Sequence, residues 1–274
     1  MNIRAIWVIT VHSVKDAVRT KWLWVFALTF FLLALNLPIL ALLATRYLPP
    51  NYLDIYLGAL VTISFPFLPL LSLPIGALAV VEDRESGALQ YVLSTPTSKS
   101  DFLVGKLAGL LLATTAIVFL GYGAAAAITF TTRVSRYVQV LDVGFAAVLL
   151  NAVMVSLSLL ISVLARRKAT ALGVSIFAWF FFSVFTSFGL LTIIINLTVG
   201  PQTAAILLMI DPVEIARILA VIVLGSTDQL GSTGLTFSHV FGDASFAVVT
   251  AVLVTWFAGV CAATLAVFRL QDAV

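Results

Sequence analysis

The sequence predicts an all-α membrane protein of six transmembrane helices, preceded by an amphipathic helix lying in the plane of the bilayer. Three observations carry that prediction. The first is composition: of 274 residues, 62% are hydrophobic and 10% charged, with a mean hydropathy of +1.15, whereas soluble domains run near about 25% charged. The second is the length of the apolar runs, which reach the roughly 20 residues that a bilayer requires. The third is the position of the charges. They gather between the runs, as they must when one charge at the centre of a membrane helix costs roughly 2.5–3.5 kcal/mol.

Residues 1–21 supply the interfacial helix. Helical spacing puts Ile3, Trp7, Val11, Val14 and Val18 on one side and His12, Lys15, Asp16 and Arg19 on the other, the pattern of a helix that rests in the interface. A signal peptide is the poorer reading, because the polar part is long and no small-x-small site follows the next apolar run. Trp22 to Ala44 is the first span, with Trp22 and Trp24 suited to the interface. Asn36 and Pro38 interrupt it; a kink is the plainer role, and Asn36 is also a candidate for lining a path. Ile55 to Val81 is the second span. Its Pro66, Pro69 and Pro74 each remove a backbone hydrogen bond that neighbours must replace, which predicts a span that packs closely on partners or bends.

The densest charge in the chain follows, in the stretch Val81 to Gly109. Glu82, Asp83, Arg84 and Glu85 cannot continue a span, so the chain has left the hydrocarbon here. Ala88, Leu89, Tyr91, Val92 and Leu93 are apolar, Ser94-Thr95-Pro96 punctuates, and Ser98 to Asp101 can start a new helix. The stretch reads as helix, break, helix, with a surface able to dock a partner. Leu107 to Phe130 is the third span, and Gly105 and Gly109 give it a smooth face for close packing.

Thr131 to Asp142 reads as a loop and Val143 to Ala165 as the fourth span, which holds Asn151 and three serines. Asn151 suits an interhelical hydrogen bond or a place on a path. After the basic turn Arg166-Arg167-Lys168, Ala169 to Val199 is the fifth span, longer than a bilayer needs and so tilted or broken near Gly189. Asp211-Pro212-Val213-Glu214 is a helix start: Asp caps, Pro takes the first turn and Glu stands three on. The apolar stretch from Val213 to Leu224 is about 12 residues, too short to span. It is placed as a small helix at the outer surface, inside an extracytoplasmic loop over residues 200–243. Ala244 to Phe268 is the last span.

Orientation follows from counting Lys and Arg on each side. Arg4, Lys15, Arg19, Lys21, Arg84, Lys99, Lys106, Arg166, Arg167, Lys168 and Arg269 share one side; Arg46, Arg133, Arg136 and Arg217 share the other. Eleven against four puts both termini and the charged bend in the cytoplasm of a cell-membrane protein.

Several chemistries are disfavoured. A phosphate-binding loop needs Gly-x-x-x-x-Gly-Lys-Ser/Thr, and Gly105-Lys106 is followed by Leu107 and lacks the upstream glycine. A proton- or sodium-driven carrier places titratable groups inside its spans, and none stands well inside the six. Asn36, Asn151 and Asn196 are polar but do not titrate. One cysteine, Cys261, excludes an intrachain disulfide or a Cys-x-x-Cys metal site. No catalytic constellation appears: His239 near Ser238 and Asp243 is a sequence neighbourhood, not a triad. Nothing points to nucleic acid.

The ordered set Glu82-Asp83-Arg84-Glu85-Ser86-Gly87, Leu93-Ser94-Thr95-Pro96 and Gly105-Lys106-Leu107-Ala108-Gly109 resembles the first cytoplasmic loop of ABC-2 type permeases. The resemblance covers the whole chain, 1–274, as one permease domain. It implies the type V exporter-like (ABC-2) permease fold, with residues 1–21 as the interfacial helix and 82–105 as the coupling loop. Within the family, Asp211-Pro212-x-Glu214-Ile215-x-Arg217 with the Gly/Ser stretch after it resembles the permease of the nitrous-oxide reductase maturation system.

The resemblance further implies two separate ABC ATPase subunits that bind ATP and Mg, and a second permease copy, identical or paralogous. No cofactor is expected in this chain. Glu82, Asp83, Arg84, Glu85, Ser86, Gly87, Ser94, Thr95 and Pro96 would carry the coupling, the first four through ion pairs with the ATPase. The substrate is not implied. Membrane lipids and an extracytoplasmic protein complete the expected partners. A membrane anchor or sensor without transport is the alternative reading, and an ion-coupled carrier a weaker one.

Overall fold

The computed structural model describes residues 2–43, 52–95, 97–131, 137–186, 200–224 and 240–271. Among them the long elements are all helical. In order they are α1 (Ile3–Arg19), α2 (Lys21–Leu43), α3 (Tyr52–Leu78), α4 (Val81–Glu85), α5 (Ala88–Leu93) and α6 (Lys99–Thr131). Then come α7 (Tyr137–Leu164), α8 (Lys168–Phe180), a π-helical turn (Phe181–Phe185), α9 (Pro201–Leu208), α10 (Pro212–Leu224) and α11 (Ser245–Leu270). Five stretches are long and apolar enough to cross a membrane, and α1 with α2, bent by 71° at their junction, makes a sixth.

The amphipathic start has three faces rather than two. Thr10, Ser13 and Ala17 are its buried residues, while Ile3, Trp7, Val8 and Val18 are exposed and free to face lipid. The small residues are buried because α1 lies on the smooth face of α6. A Cβ at Gly105 would stand 2.8 Å from the side chain of Ile9, and one at Gly109 would stand 2.5 Å from Ser13 Cβ and 2.7 Å from the Thr10 carbonyl. Thr10 Oγ1 donates to the carbonyls of Ile6, at 2.8 Å, and Gly105, at 3.3 Å. The sequence reading assigned Gly105 and Gly109 to close packing between helices; the element they receive is the interfacial helix.

Helix α7 is the centre of the bundle and packs against α3, α6, α10 and α11. At Gly76 a Cβ would lie 1.8 Å from Ser158 Oγ, so α3 and α7 touch almost backbone to side chain. Asn151 is fully buried. Ser72 Oγ donates to its Oδ1 at 2.7 Å, and its Nδ2 donates to Thr114 Oγ1 at 2.9 Å and Thr115 Oγ1 at 3.1 Å. One side chain thus joins α3, α6 and α7. Single interhelical hydrogen bonds in membranes contribute about 0.6 kcal/mol on average and up to about 1.7. Asn151→Leu is therefore expected to cost about 2 kcal/mol, read as a lowered thermal midpoint in detergent.

Helix α3 runs unbroken through Pro66, Pro69 and Pro74. The carbonyl of Pro66 is reached by Trp179 Nε1 at 2.9 Å and Ser183 Oγ at 3.3 Å, which ties α3 to the end of α8 and its π-helical turn. The break expected near Gly189 lies outside the described residues, as do Pro96, Asn196 and His239; Asn36 is described only as part of the α2 backbone.

One expected boundary moves: α7 begins at Tyr137 and takes in Asp142, while α6 begins at Lys99, ahead of the apolar run that starts near Leu107. Hydropathy marks the hydrocarbon slab, whereas the helical backbone continues past it until a cap stops it. At α6 that cap is Ser98, whose Oγ accepts from the Asp101 N–H at 3.0 Å, in line with the predicted start.

The larger correction concerns residues 200–224. The helix starts at Pro212 and ends at Leu224, close to the reading, but it does not lie on the outer surface. Nearly all of α10 is buried, packed against α7, α11 and α3. With α9 it forms a hairpin whose turn carbonyl, Met209, accepts from Trp256 Nε1 at 3.1 Å. Trp256 stands near the middle of α11, so the hairpin reaches into the bundle rather than resting on top of it. A helix apolar on most sides needs partners on most sides; the twelve residues from Val213 to Leu224 are too few to cross lipid but suffice inside protein.

Candidate functional site

The charged bend is built from α4 and α5. Gly87 lies between them with φ +77°, a left-handed conformation that costs glycine little and other residues more. Leu89 is buried and anchors α5, while Tyr91 is 76% exposed. Glu85, Ser86, Gly87, Ala88, Gln90, Ser94 and Thr95 are exposed beside it. Ser94 Oγ donates to the Tyr91 carbonyl at 2.7 Å and Thr95 Oγ1 to that of Val92 at 2.6 Å, closing the end of α5 on itself.

The root of the bend, α4, is fastened to the end of α7 at both its start and its finish. Ser162 Oγ, buried, accepts the backbone N–H of Val80 at 2.8 Å and of Val81 at 3.0 Å, satisfying amides at the start of α4. Arg84 returns the connection. Its Nη1 donates to the carbonyls of Val163, at 3.2 Å, and Ala165, at 2.6 Å, and its Nη2 to Val163, at 3.2 Å, and to Gln271 Oε1, at 2.9 Å. A guanidinium is thereby spread over the carboxyl end of α7, where a positive charge also meets the negative end of the helix dipole, and over the residue after α11.

The four charged residues therefore divide. Asp83 pairs with Lys106 of α6, Oδ2 to Nζ 2.6 Å, with the Lys106 side chain only 6% exposed. Arg84 is turned inward as described. Glu85 Oε1 accepts the Lys168 N–H at 2.8 Å, and Glu82 lies 3.4 Å from Lys168 Nζ with both side chains about half exposed. Asp83 and Arg84 thus already have partners inside the chain. Glu82 and Glu85 remain at the surface. Lys99 adds a further link, its Nζ donating to the Gln271 carbonyl at 2.5 Å and the Arg269 carbonyl at 3.3 Å.

The hairpin carries charge that the span-by-span reading did not place in the interior. Asp211 is fully buried and Glu214 nearly so. Asp211 Oδ2 accepts from Thr186 Oγ1 at 2.6 Å and Oδ1 from the Val213 N–H at 2.8 Å; Glu214 Oε2 pairs with Arg217 Nη1 at 2.9 Å. Titratable groups therefore enter the bundle on this hairpin, outside the six spans read from the sequence. The available signal was the capped start Asp211-Pro212 leading into a short helix that is apolar apart from Glu214 and Arg217.

The chain matches the family model described as ABC-2 family transporter protein over residues 7–273. It is 26% identical over 222 residues to a protein of Pseudomonas aeruginosa named as the probable ABC transporter permease protein NosY, covering 78% of this chain and 80% of that one. The protein of the same name from Stutzerimonas stutzeri is 25% identical over 227 residues, with the same coverage.

Proposed function

The chain belongs to the ABC-2 family of transporter proteins, as a multi-pass membrane permease, and from that premise we propose that its α4–α5 bend is where an external ATPase drives it. In this reading two ABC ATPases dock on the cytoplasmic side beneath a pair of permease chains, and hydrolysis there switches the pair between inward- and outward-open states in an exporter-type cycle. The single observation that carries it is the construction of the bend: an exposed face around Tyr91 whose roots are hydrogen-bonded into α7, the start of α8 and the end of α11. A push on that face has no slack to absorb it. It reaches α3 and α6 through the chain itself and α7, α8 and α11 through side chains.

Glu82 and Glu85 are the acidic groups left at the surface of the bend, and such charges chiefly set register and partner choice. Reversing both to Lys, in the permease purified with its cognate ATPase and returned to vesicles, is expected to leave the melting temperature within a few degrees and to abolish stimulation of ATP hydrolysis by the permease. Full stimulation in the double variant would remove this role from the bend.

A further inference from the structure

A polar cavity of ≈ 100 Å³ lies between α1, the end of α3 with α4, and α6. Apolar residues line part of it; its polar lining is Ser13 and Asp16 from α1, Thr20 just after it, Glu82 and Asp83 from the bend, and Lys106 from α6. Three carboxylates and one ammonium converge there. Lys106 is matched to Asp83 at 2.6 Å. Among the described residues Asp16 has only the mostly exposed His12, at 3.5 Å, and Glu82 only the half-exposed Lys168, at 3.4 Å. The wall is therefore short of positive charge.

A second observation is independent of charge. Ser13 is 3% exposed and borders the cavity, yet its Oγ has no hydrogen-bond partner among the described residues. Buried hydroxyls are normally satisfied, and an orphan next to a polar cavity calls for a donor or acceptor supplied from outside the chain. A group that carries positive charge and donates several hydrogen bonds answers both deficits at once.

The location selects the source of that group. Helix α1 turns through 71° into α2 at the cavity; exposed Trp22 and Trp24 stand just after the turn and exposed Trp7 further back on α1, the residue type that sits at headgroup depth. The mouth is at Asp16 and Glu82, whose side chains are 45% and 51% exposed. We propose that this cavity binds the primary ammonium headgroup of a membrane lipid, with Asp16 and Glu82 as its counter-charges and Ser13 Oγ as an acceptor of one of its N–H groups. A trimethylated headgroup has the charge but no N–H to give, and it is too bulky to reach Ser13. A lipid seated there would also fill the angle between α1 and α6 that the bend adjoins.

The site needs no ATPase for its test, so its failure and that of the transport reading are distinguishable. The full chain is placed in vesicles of phosphatidylethanolamine with phosphatidylglycerol, or of phosphatidylcholine with phosphatidylglycerol at the same anionic fraction. Thermal stability is followed, and retained lipid is identified by native mass spectrometry. The wild-type chain is expected to retain the ethanolamine lipid over the choline lipid by about tenfold and to melt higher with it; Asp16→Asn and Ser13→Ala should each erase most of that preference. Equal retention of the two lipids by the wild type, or an undiminished preference in the Asp16→Asn/Ser13→Ala double variant, would overturn the site. Protection of the detergent-solubilised chain by free ethanolamine, equal to that by the lipid, would overturn the lipid as its source.

Discussion

Arg84→Met should cost the fold about 3 kcal/mol and uncouple the permease from its ATPase. The guanidinium makes four hydrogen bonds, to the carbonyls of Val163 and Ala165 and to the side chain of Gln271. Hydrogen bonds to charged groups contribute about 1.5–3 kcal/mol each, but these share one side chain and are partly open to water, so the sum is well below four times that. Methionine retains the apolar stem and removes only the donors. The residue after α11 then loses its connection to α4, and α7 keeps the Ser162 bonds at the start of α4 but loses those at its end, while α3 and α6 stay joined through the backbone. The measurement is paired: a melting curve in detergent, and ATPase stimulation at a temperature where the variant is still folded. Lost stimulation in a folded variant is the expected result; unchanged stimulation would show that the Arg84 links to the end of α7 and to Gln271 are not part of the transmission.

Lys106→Met is expected to be worse for stability. Lys106 is nearly buried in α6, and its partner Asp83 is 23% exposed. Removing one member of a buried pair leaves the other charge uncompensated, at about 3–5 kcal/mol, while replacing both by apolar residues is often neutral. The single variant should therefore fail to accumulate in the membrane or melt far below the wild type, and Asp83→Leu/Lys106→Met should recover most of the loss. A double variant as unstable as the single would show that the charge of Asp83 is not what Lys106 offsets. The recovered protein is also informative about mechanism, since it would hold the bend on α6 without an ion pair.

Much of the fold was legible because membrane insertion is a local, one-dimensional problem. The apolar runs, the forced exit at Glu82 to Glu85 and the capped starts at Ser98 and Asp211 each follow from a few adjacent residues. Glycines at 105 and 109 announced a close contact but not with what; the answer, α1, is far away in sequence and shows on its own helix only as a stripe of Thr10, Ser13 and Ala17. The site was legible as a place and not as an arrangement. Ser162 read as one of several serines in a span, and nothing beside it in sequence marks it as the acceptor for the start of α4.

Sequence alone determined the class of protein, its long helices and the point where the chain must leave the hydrocarbon, because hydrophobic and charge-burial costs are counted residue by residue along one helix. Tertiary structure alone decided which charges stay free. Arg84 is used up by carbonyls about eighty positions away and by a side chain 187 positions away, and Asp211 is buried by helices that no local window contains. A charge is exposed or spent according to what the rest of the chain brings to it, and that is a property of packing in three dimensions.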